Sequence, residues 1–183
     1  MAMMLGVHEK TTPADRATTY PGSSATRDFE PGVLATPVDL VRKIKAECSD
    51  TWAAGHTAVW SFKPHPDRVR DGGWRKPVQE LAAWLLKHKD DCPTILIVWH
   101  EPENDIGKWF KRPEDFVAMF NCVYEWLVEV FPTLTIVHAA LAYRYRDGGE
   151  ITDKDAARWR TKANLHTVDA YSGRSFPLTA ILP

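Results

Sequence analysis

The sequence is poor in cysteine and lacks the long apolar runs of membrane proteins. Its three cysteines, Cys48, Cys92 and Cys122, are widely spaced and form no CxxC pair, so neither a disulfide scaffold nor a zinc ribbon is predicted. No apolar run approaches the roughly 18 residues of a transmembrane helix. The chain also holds no phosphate loop and no GxGxxG segment, which argues against nucleotide-binding α/β folds, and we expect no cofactor.

The chain has almost no excess of charge. With 23 basic and 24 acidic residues its net charge is −1, which gives no electrostatic reason to expect nucleic acid or a membrane as partner. The segment Met1–Gly6 lacks a basic start and a long apolar stretch, so it is not predicted to be a secretory signal. The cytoplasm is therefore the default location.

Aromatic residues are abundant, with eight Trp and five Tyr among 183 residues. Carbohydrate sites use such rings as flat platforms, although core packing accounts for at least half of them. The length predicts one domain over residues 1–183. Residues 10–24 are rich in Thr, Pro, Ala and Ser and are predicted to form a long loop.

Strand patterns alternate with helical patterns along the chain. Six strands are predicted, two of them weak, at about residues 3–7, 27–29, 56–62, 94–98, 134–142 and 166–173. Helices are predicted from Thr36, as N-cap, with Pro37 at the first position, over Pro77–Lys89, and from Pro113 to about Phe131. This order predicts right-handed βαβ units and a parallel sheet.

Polar residues stand at the ends of several of these strands. The apolar run Thr94–Val98 leads directly into Trp99, His100 and Glu101, and Pro102 then stops the strand. In α/β folds the carboxyl ends of the strands hold the chemistry. The pattern predicts an α/β fold with about six βα units, an incomplete (β/α)8 TIM-barrel-like fold, and makes Glu101 a candidate catalytic carboxylate.

A more specific pattern follows that strand. After His100-Glu101 come a gap of five residues, Gly107, a gap of one, and then Trp109-Phe110. This spacing resembles the His-Glu…Gly-x-Trp-Phe signature after the fourth strand of glycoside hydrolase family 26, the β-mannanase family of clan A. Pro102 departs from the mannanase pattern. The resemblance extends from about Gly55 to Gly173.

The resemblance implies a role for each matched residue. Glu101 corresponds to the general acid/base, His100 shapes its hydrogen bonding and contacts substrate, and Trp109 lines the sugar subsite. The segment Ser61–Pro64 resembles the end of the third strand, and Val168–Tyr171 resembles an Asp-x-Tyr at the sixth. The predicted substrate-binding residues are His100, Trp99, Trp109, Phe110, Lys63, Asp169 and Tyr171, and no metal ligand is predicted.

The chemistry of a retaining glycosidase explains these residue types. Two carboxylates about 5–5.5 Å apart act as acid/base and nucleophile. The acid must keep its proton near neutral pH, which the apolar strand end and neighbouring Trp99 would favour. Glu103 and Asp105 are predicted to be ordinary loop carboxylates or helix-capping groups.

The second carboxylate has no clear candidate. In the family it is a Glu at the end of the seventh strand, whereas the last glutamate here is Glu150. Three explanations stay open. The first is that the chain is a fragment of a longer hydrolase, the second that it is a sugar-binding or structural relative without turnover, and the third that it is a hydrolase in which Glu9 supplies the second carboxylate. Six strands would also leave open barrel edges, which predicts self-association or low stability.

A metal-dependent hydrolase is the alternative enzyme class. His8, Glu9, His100, Glu101, His138 and Asp169 all fall at or near predicted strand ends, and imidazole with carboxylate suits zinc or manganese. Against it, the first strand lacks a His-x-His pair, and the mid-strand position of His138 is typical of a core histidine.

Overall fold

The computed structural model describes residues 6–7, 25–141 and 156–169, with the side chains of residues 25, 32–140 and 156–166. The predicted loop at 10–24 lies outside these residues. The single domain over residues 1–183 stays a prediction.

The described chain alternates strands with helices. The strands are β1 (Gly6–Val7), β2 (Ala25–Leu34), β3 (Thr57–Pro64), β4 (Thr94–Val98), β5 (Thr135–Leu141) and β6 (Leu165–Asp169). The helices are α1 (Leu40–Ala53), α2 (Pro66–Arg70), α3 (Arg75–Lys87) and α4 (Pro113–Val130), with short 3-10 turns at Pro102–Asp105 and Ala157–Trp159.

The six strands form one sheet in sequence order, and every neighbouring pair is parallel. Their register places Trp60 beside Leu96 and Leu96 beside Ile136. Because the strands are parallel, their carboxyl ends meet at one edge of the sheet. The predicted α/β architecture, an incomplete TIM-barrel-like fold with a parallel sheet, is confirmed.

The two faces of the sheet bury different side chains. Side chains alternate along a strand, so Trp60 and Phe62 of β3 and Leu96 and Val98 of β4 all enter the main core with the helices. The helices contribute side chains at helical spacing: Leu40, Ile44 and Cys48 of α1, Val78, Leu81 and Leu85 of α3, and Phe116, Phe120, Val123 and Leu127 of α4. The opposite face has a smaller cluster of Ile97, Val137 and Ala139, with Val59 and Ile95 packed against it.

The start of α1 differs from the prediction. The helix begins at Leu40, not just after Thr36, because Asp39 is the N-cap and its carboxylate accepts the N–H of Arg42 at 2.8 Å. Asp is as good a cap as Thr, and the pattern alone did not discriminate between them. By contrast, α4 begins at Pro113 as predicted, with the Asp115 carboxylate accepting the N–H of Arg112 at 3.2 Å.

The second strand is also longer than predicted. It continues through Pro31-Gly32 to Leu34, with an irregular register between Phe29 and Val33. A register shift lets a strand pass a proline, which cannot donate a ladder hydrogen bond.

The outermost strands of the described sheet are β1 and β6. Self-association through such edges stays a prediction. None of the described helices is both long enough and apolar enough to cross a membrane.

His138 lies in the middle of β5 and beneath α4, as expected for a core histidine. It is 4% exposed and packs against the rings of Phe116, Phe120 and His166 at centroid distances of 5.2, 5.9 and 5.5 Å. Neither of its ring nitrogens has a hydrogen-bond partner among the described residues. Burial, and to a smaller extent the neighbouring His166, lowers the pKa of His138 from 6.5 to about 3.

This burial predicts a pH-dependent stability. The unfolded chain binds a proton at His138 near pH 6.5, whereas the folded chain does not until about pH 3, so folding loses about 1.4 kcal/mol per pH unit between these values as pH falls. We expect His138→Leu to remove that part of the pH dependence. It should also raise the free energy of unfolding at pH 7 by about 1–3 kcal/mol, because two unsatisfied buried nitrogens disappear. Urea denaturation between pH 4 and pH 7 measures both effects.

The control is His166→Gln, which changes a more exposed imidazole beside the same strand. It should leave most of the acid-induced loss in place. An unchanged pH slope in His138→Leu would show that the loss arises elsewhere.

Candidate functional site

The candidate site lies where β3 and β4 end. Along β3, Ser61 and Lys63 alternate with the core residues Trp60 and Phe62, so they lie on the opposite face of the sheet. Beyond β4, the segment from Trp99 to Phe110 turns over this edge before α4 begins. The strand ends therefore bring together residues that are about 40 positions apart in the chain.

The backbone that follows β4 is strained. Trp99 has φ +62° and Glu101 has φ +52°, and among the described residues they are the two non-glycine positions with positive φ. Bulky L-residues rarely adopt this conformation, which costs about 1–2 kcal/mol per residue. Two tertiary hydrogen bonds hold it: the N–H of Trp99 donates to the carbonyl of Phe62 at 3.0 Å, and that of Glu101 to the carbonyl of Ala139 at 2.9 Å.

His100 is held by a neighbouring strand. Its Nδ1 lies 2.7 Å from the hydroxyl Oγ of Ser61, which is completely buried. When Ser61 donates in this bond, Nε2 carries the imidazole proton and can donate to another acceptor. In the sequence, Ser61 stands out only as part of the Ser61–Pro64 segment. Its hydrogen bond to His100 explains why a hydroxyl suits this position.

Glu101 is half-buried and lies just beyond the end of β4. Its Oε2 accepts a hydrogen bond from the side-chain amide of Asn104 at 3.3 Å. Asn104 belongs to the 3-10 turn that Pro102 opens directly after Glu101. The departure from the mannanase pattern at Pro102 thus places an amide donor next to the carboxylate.

The aromatic residues between Trp99 and Phe110 differ in how far they are exposed to solvent. Trp99 is 0% and Phe110 2% exposed, and their rings pack edge to face at 4.7 Å within the main core. Trp109 is only half-buried; its ring packs edge to face with His65 at a centroid distance of 5.2 Å, and the Lys108 ammonium lies 5.8 Å from its centroid. Trp99 and Phe110 are closed to a ligand by their burial, whereas part of Trp109 stays accessible.

Lys63 and Asp105 form an ion pair beside these rings. The ammonium of Lys63 donates to Oδ2 of Asp105 at 3.0 Å, and the two side chains are 14% and 13% exposed. The indole N–H of Trp99 donates to the same oxygen at 2.8 Å. Asp105 is therefore no ordinary loop carboxylate, contrary to the sequence prediction. Its partner Lys63 lies 42 residues earlier, and no local pattern signals such a pair.

Glu103, in the 3-10 turn at Pro102–Asp105, is 6% exposed.

Several candidate residues lie outside the described part of the chain. These are His8, Glu9, Glu150 and Tyr171, and the side chain of Asp169 on β6. Among the residues that are described, no three His, Cys, Asp or Glu side chains come together as a potential metal site.

Comparison with protein families and with curated proteins gives no match. Among solved structures, the chain is similar to β-mannanase from the blue mussel Mytilus edulis, with a TM-score of 0.58 and 10% identity. That match covers 85% of this chain and 60% of the mannanase, so the chain spans about three-fifths of that structure's length. At this identity the likeness shows the fold alone, that of an incomplete TIM-type barrel.

A second match is to virulence factor SghA from Agrobacterium tumefaciens. Its TM-score is 0.39 at 15% identity, covering 78% of this chain and 38% of that one. This likeness is too weak to carry an argument.

The strain at Glu101 yields a prediction for stability. Glycine adopts positive φ without a Cβ penalty, so we expect Glu101→Gly to be about 1 kcal/mol more stable than Glu101→Ala, although both remove the carboxylate. The midpoints of urea denaturation measure the difference. At Asn104, within the 3-10 turn, the order should reverse. Equal midpoints for the two Glu101 variants would mean that the left-handed backbone carries no strain.

Proposed function

We propose that this chain is a glycoside hydrolase-like protein that binds a β-linked oligosaccharide at the carboxyl ends of β3 and β4. Glu101 acts as the general acid/base of a retaining mechanism. The observation that carries the proposal is the strained turn after β4, in which His100 is held by Ser61 and Glu101 lies half-buried, within the same segment as the half-buried Trp109. Strain of this kind persists where the surrounding structure enforces a functional geometry.

The contacts suit acid/base catalysis on a sugar. An acid/base must reach the glycosidic oxygen, and Glu101 lies half-buried just beyond the end of β4 with Asn104 as a hydrogen-bond donor. His100 is fixed by Ser61 through Nδ1 beside Glu101 in the sequence, and we assign it to contact with the sugar. Trp109 supplies an aromatic face for a sugar ring.

The burial pattern refines the predicted binding set. We assign His100 and Trp109 to substrate contact, and Trp99 and Phe110 to the support of the site from within the core. Lys63 forms an ion pair with Asp105, so we assign it chiefly to supporting the structure of the site and not to contact with substrate. Asp169 and Tyr171 are proposed to border the sugar site from the sixth strand.

Membership of glycoside hydrolase family 26 is part of the proposal. It rests on the His-Glu…Gly-x-Trp-Phe spacing together with the fold shared with the mussel β-mannanase. We therefore propose a β-1,4-mannan or a related β-linked glycan as substrate. The nucleophile that would complete a retaining pair with Glu101 is not assigned.

Binding without hydrolysis is the second candidate function. It is favoured by the fact that Glu101 is the one catalytic carboxylate that we can assign among the described residues. The same surface would then recognise the glycan through Trp109 and His100, and the carboxylate of Glu101 would serve only as a hydrogen-bond acceptor.

One pair of measurements tests both candidates. Release of reducing ends from β-mannan reports hydrolysis, and calorimetric titration with mannohexaose reports binding. For a hydrolase, we expect Glu101→Gln to lower the hydrolysis rate about 100-fold or more with little effect on affinity, because the amide cannot donate a proton as an acid does. The control is Glu80→Gln, the same change at an exposed residue of α3.

Each result assigns the function differently. Binding without hydrolysis, unaffected by Glu101→Gln, would select the binding protein. Hydrolysis that survives Glu101→Gln at the wild-type rate would remove Glu101 from the mechanism. No binding and no hydrolysis of these glycans would reject the proposal.

A further inference from the structure

Asp105 connects three segments of the chain at this site. Its Oδ2 accepts hydrogen bonds from Lys63 at the end of β3 and from the indole of Trp99 after β4. Its main-chain carbonyl accepts the N–H groups of Lys108, Trp109 and Phe110 at 3.2, 2.9 and 3.3 Å. One residue thus contacts both strand ends and the loop that carries the half-buried ring of Trp109.

Asp105 links the turn that carries Glu101 to the loop that carries Trp109. Trp99 stands two residues before Glu101 and shares its left-handed backbone, so the orientation of the Trp99 indole is tied to the path of the chain into Glu101. The main-chain N–H of Trp109 donates to the carbonyl of the same aspartate, and the Trp109 and Trp99 rings pack edge to face at a centroid distance of 6.4 Å.

The charge of Asp105 has a definite partner. Both side chains of the Lys63–Asp105 pair are largely removed from solvent, so water cannot readily replace either partner. The Lys63 ammonium also lies 5.4 Å from the centroid of the Trp99 ring. Loss of the carboxylate charge would leave this ammonium next to the indole without its counter-ion, and Lys63 would have to move.

We propose that Asp105 is a positioning residue, which holds Glu101 and Trp109 in the relative geometry needed to bind a β-linked oligosaccharide. This inference rests on the proposed function of the site. Asp105 acts through Trp99, Lys63 and the loop at 108–110, without itself contacting the sugar.

The test is the near-isosteric Asp105→Asn variant, with mannohexaose as the probe. Its amide oxygen can still accept from Trp99, but its charge is gone. We expect mannohexaose affinity to fall at least tenfold. In protein labelled with 15N-tryptophan, the indole N–H signals of Trp99 and Trp109 can be assigned by replacing each of these two Trp residues in turn. The chemical shifts of both signals should change in Asp105→Asn.

Two controls separate positioning from general destabilisation. Leu127→Ala leaves a cavity in the core beneath α4, away from the site, and lowers the stability of the fold. Asp71→Asn makes the same chemical change in an exposed ion pair with Arg68. At a temperature where circular dichroism shows every variant folded, both controls should bind mannohexaose like the wild type.

The possible results are distinct. Wild-type affinity in Asp105→Asn, or an equal loss in Leu127→Ala, would overturn the positioning role. If the wild type binds no mannohexaose, the proposed mannan-binding function fails, and the indole signals then decide the inference. Shifts at both Trp99 and Trp109 would uphold the positioning role, and unchanged signals would overturn it.

Discussion

The left-handed backbone at Trp99 and Glu101 is the constraint on which the site depends. A chain that left β4 in regular extended geometry would continue the alternation of side chains between the two faces of the sheet. Here two positive φ values flank His100, and the Trp99 ring enters the main core with Phe110. The imidazole of His100 is hydrogen-bonded to the hydroxyl of Ser61, and Glu101 lies half-buried just beyond the end of β4. Bonds to the carbonyls of Phe62 and Ala139, on the strands either side, hold this path.

Burial of the indole strengthens the same constraint. A Trp ring removed from water gains several kcal/mol from the hydrophobic effect, but its N–H must find an acceptor. Asp105 supplies that acceptor, and Lys63 compensates the aspartate charge. A strained turn of about 1–2 kcal/mol per residue can therefore be held by packing and hydrogen bonding that exceed its cost.

Much of the fold could be predicted from the sequence, because it depends on local patterns. The β-branched run at Thr94–Val98 and the apolar period of Pro113–Val130 appear in the structure at those positions. The start of α1 was missed because Thr36 and Asp39 are both good caps and only the packing of Leu40 distinguishes them. The site was predictable only in part. His100 and Glu101 were predicted from their place after a strand and Trp109 from the family resemblance, and the structure places all three in the segment that follows β4. Asp105 was misjudged, since its two partners depend on tertiary contacts with Lys63 and with an indole whose direction follows from an unusual φ.

Resemblance in fold and resemblance in function must be weighed separately here. At 10% identity, the likeness to a β-mannanase shows that the two proteins share a fold in which the carboxyl ends of the strands lie at one edge of the sheet. Many unrelated activities use that edge. The functional argument has to come from the residues at the edge. A solvated strand-end glutamate would need neither a strained backbone nor a buried serine to fix its neighbouring histidine. Because glycine at position 101 would relieve the strain, the presence of glutamate there supports the proposal that its carboxylate takes part in the function of the site.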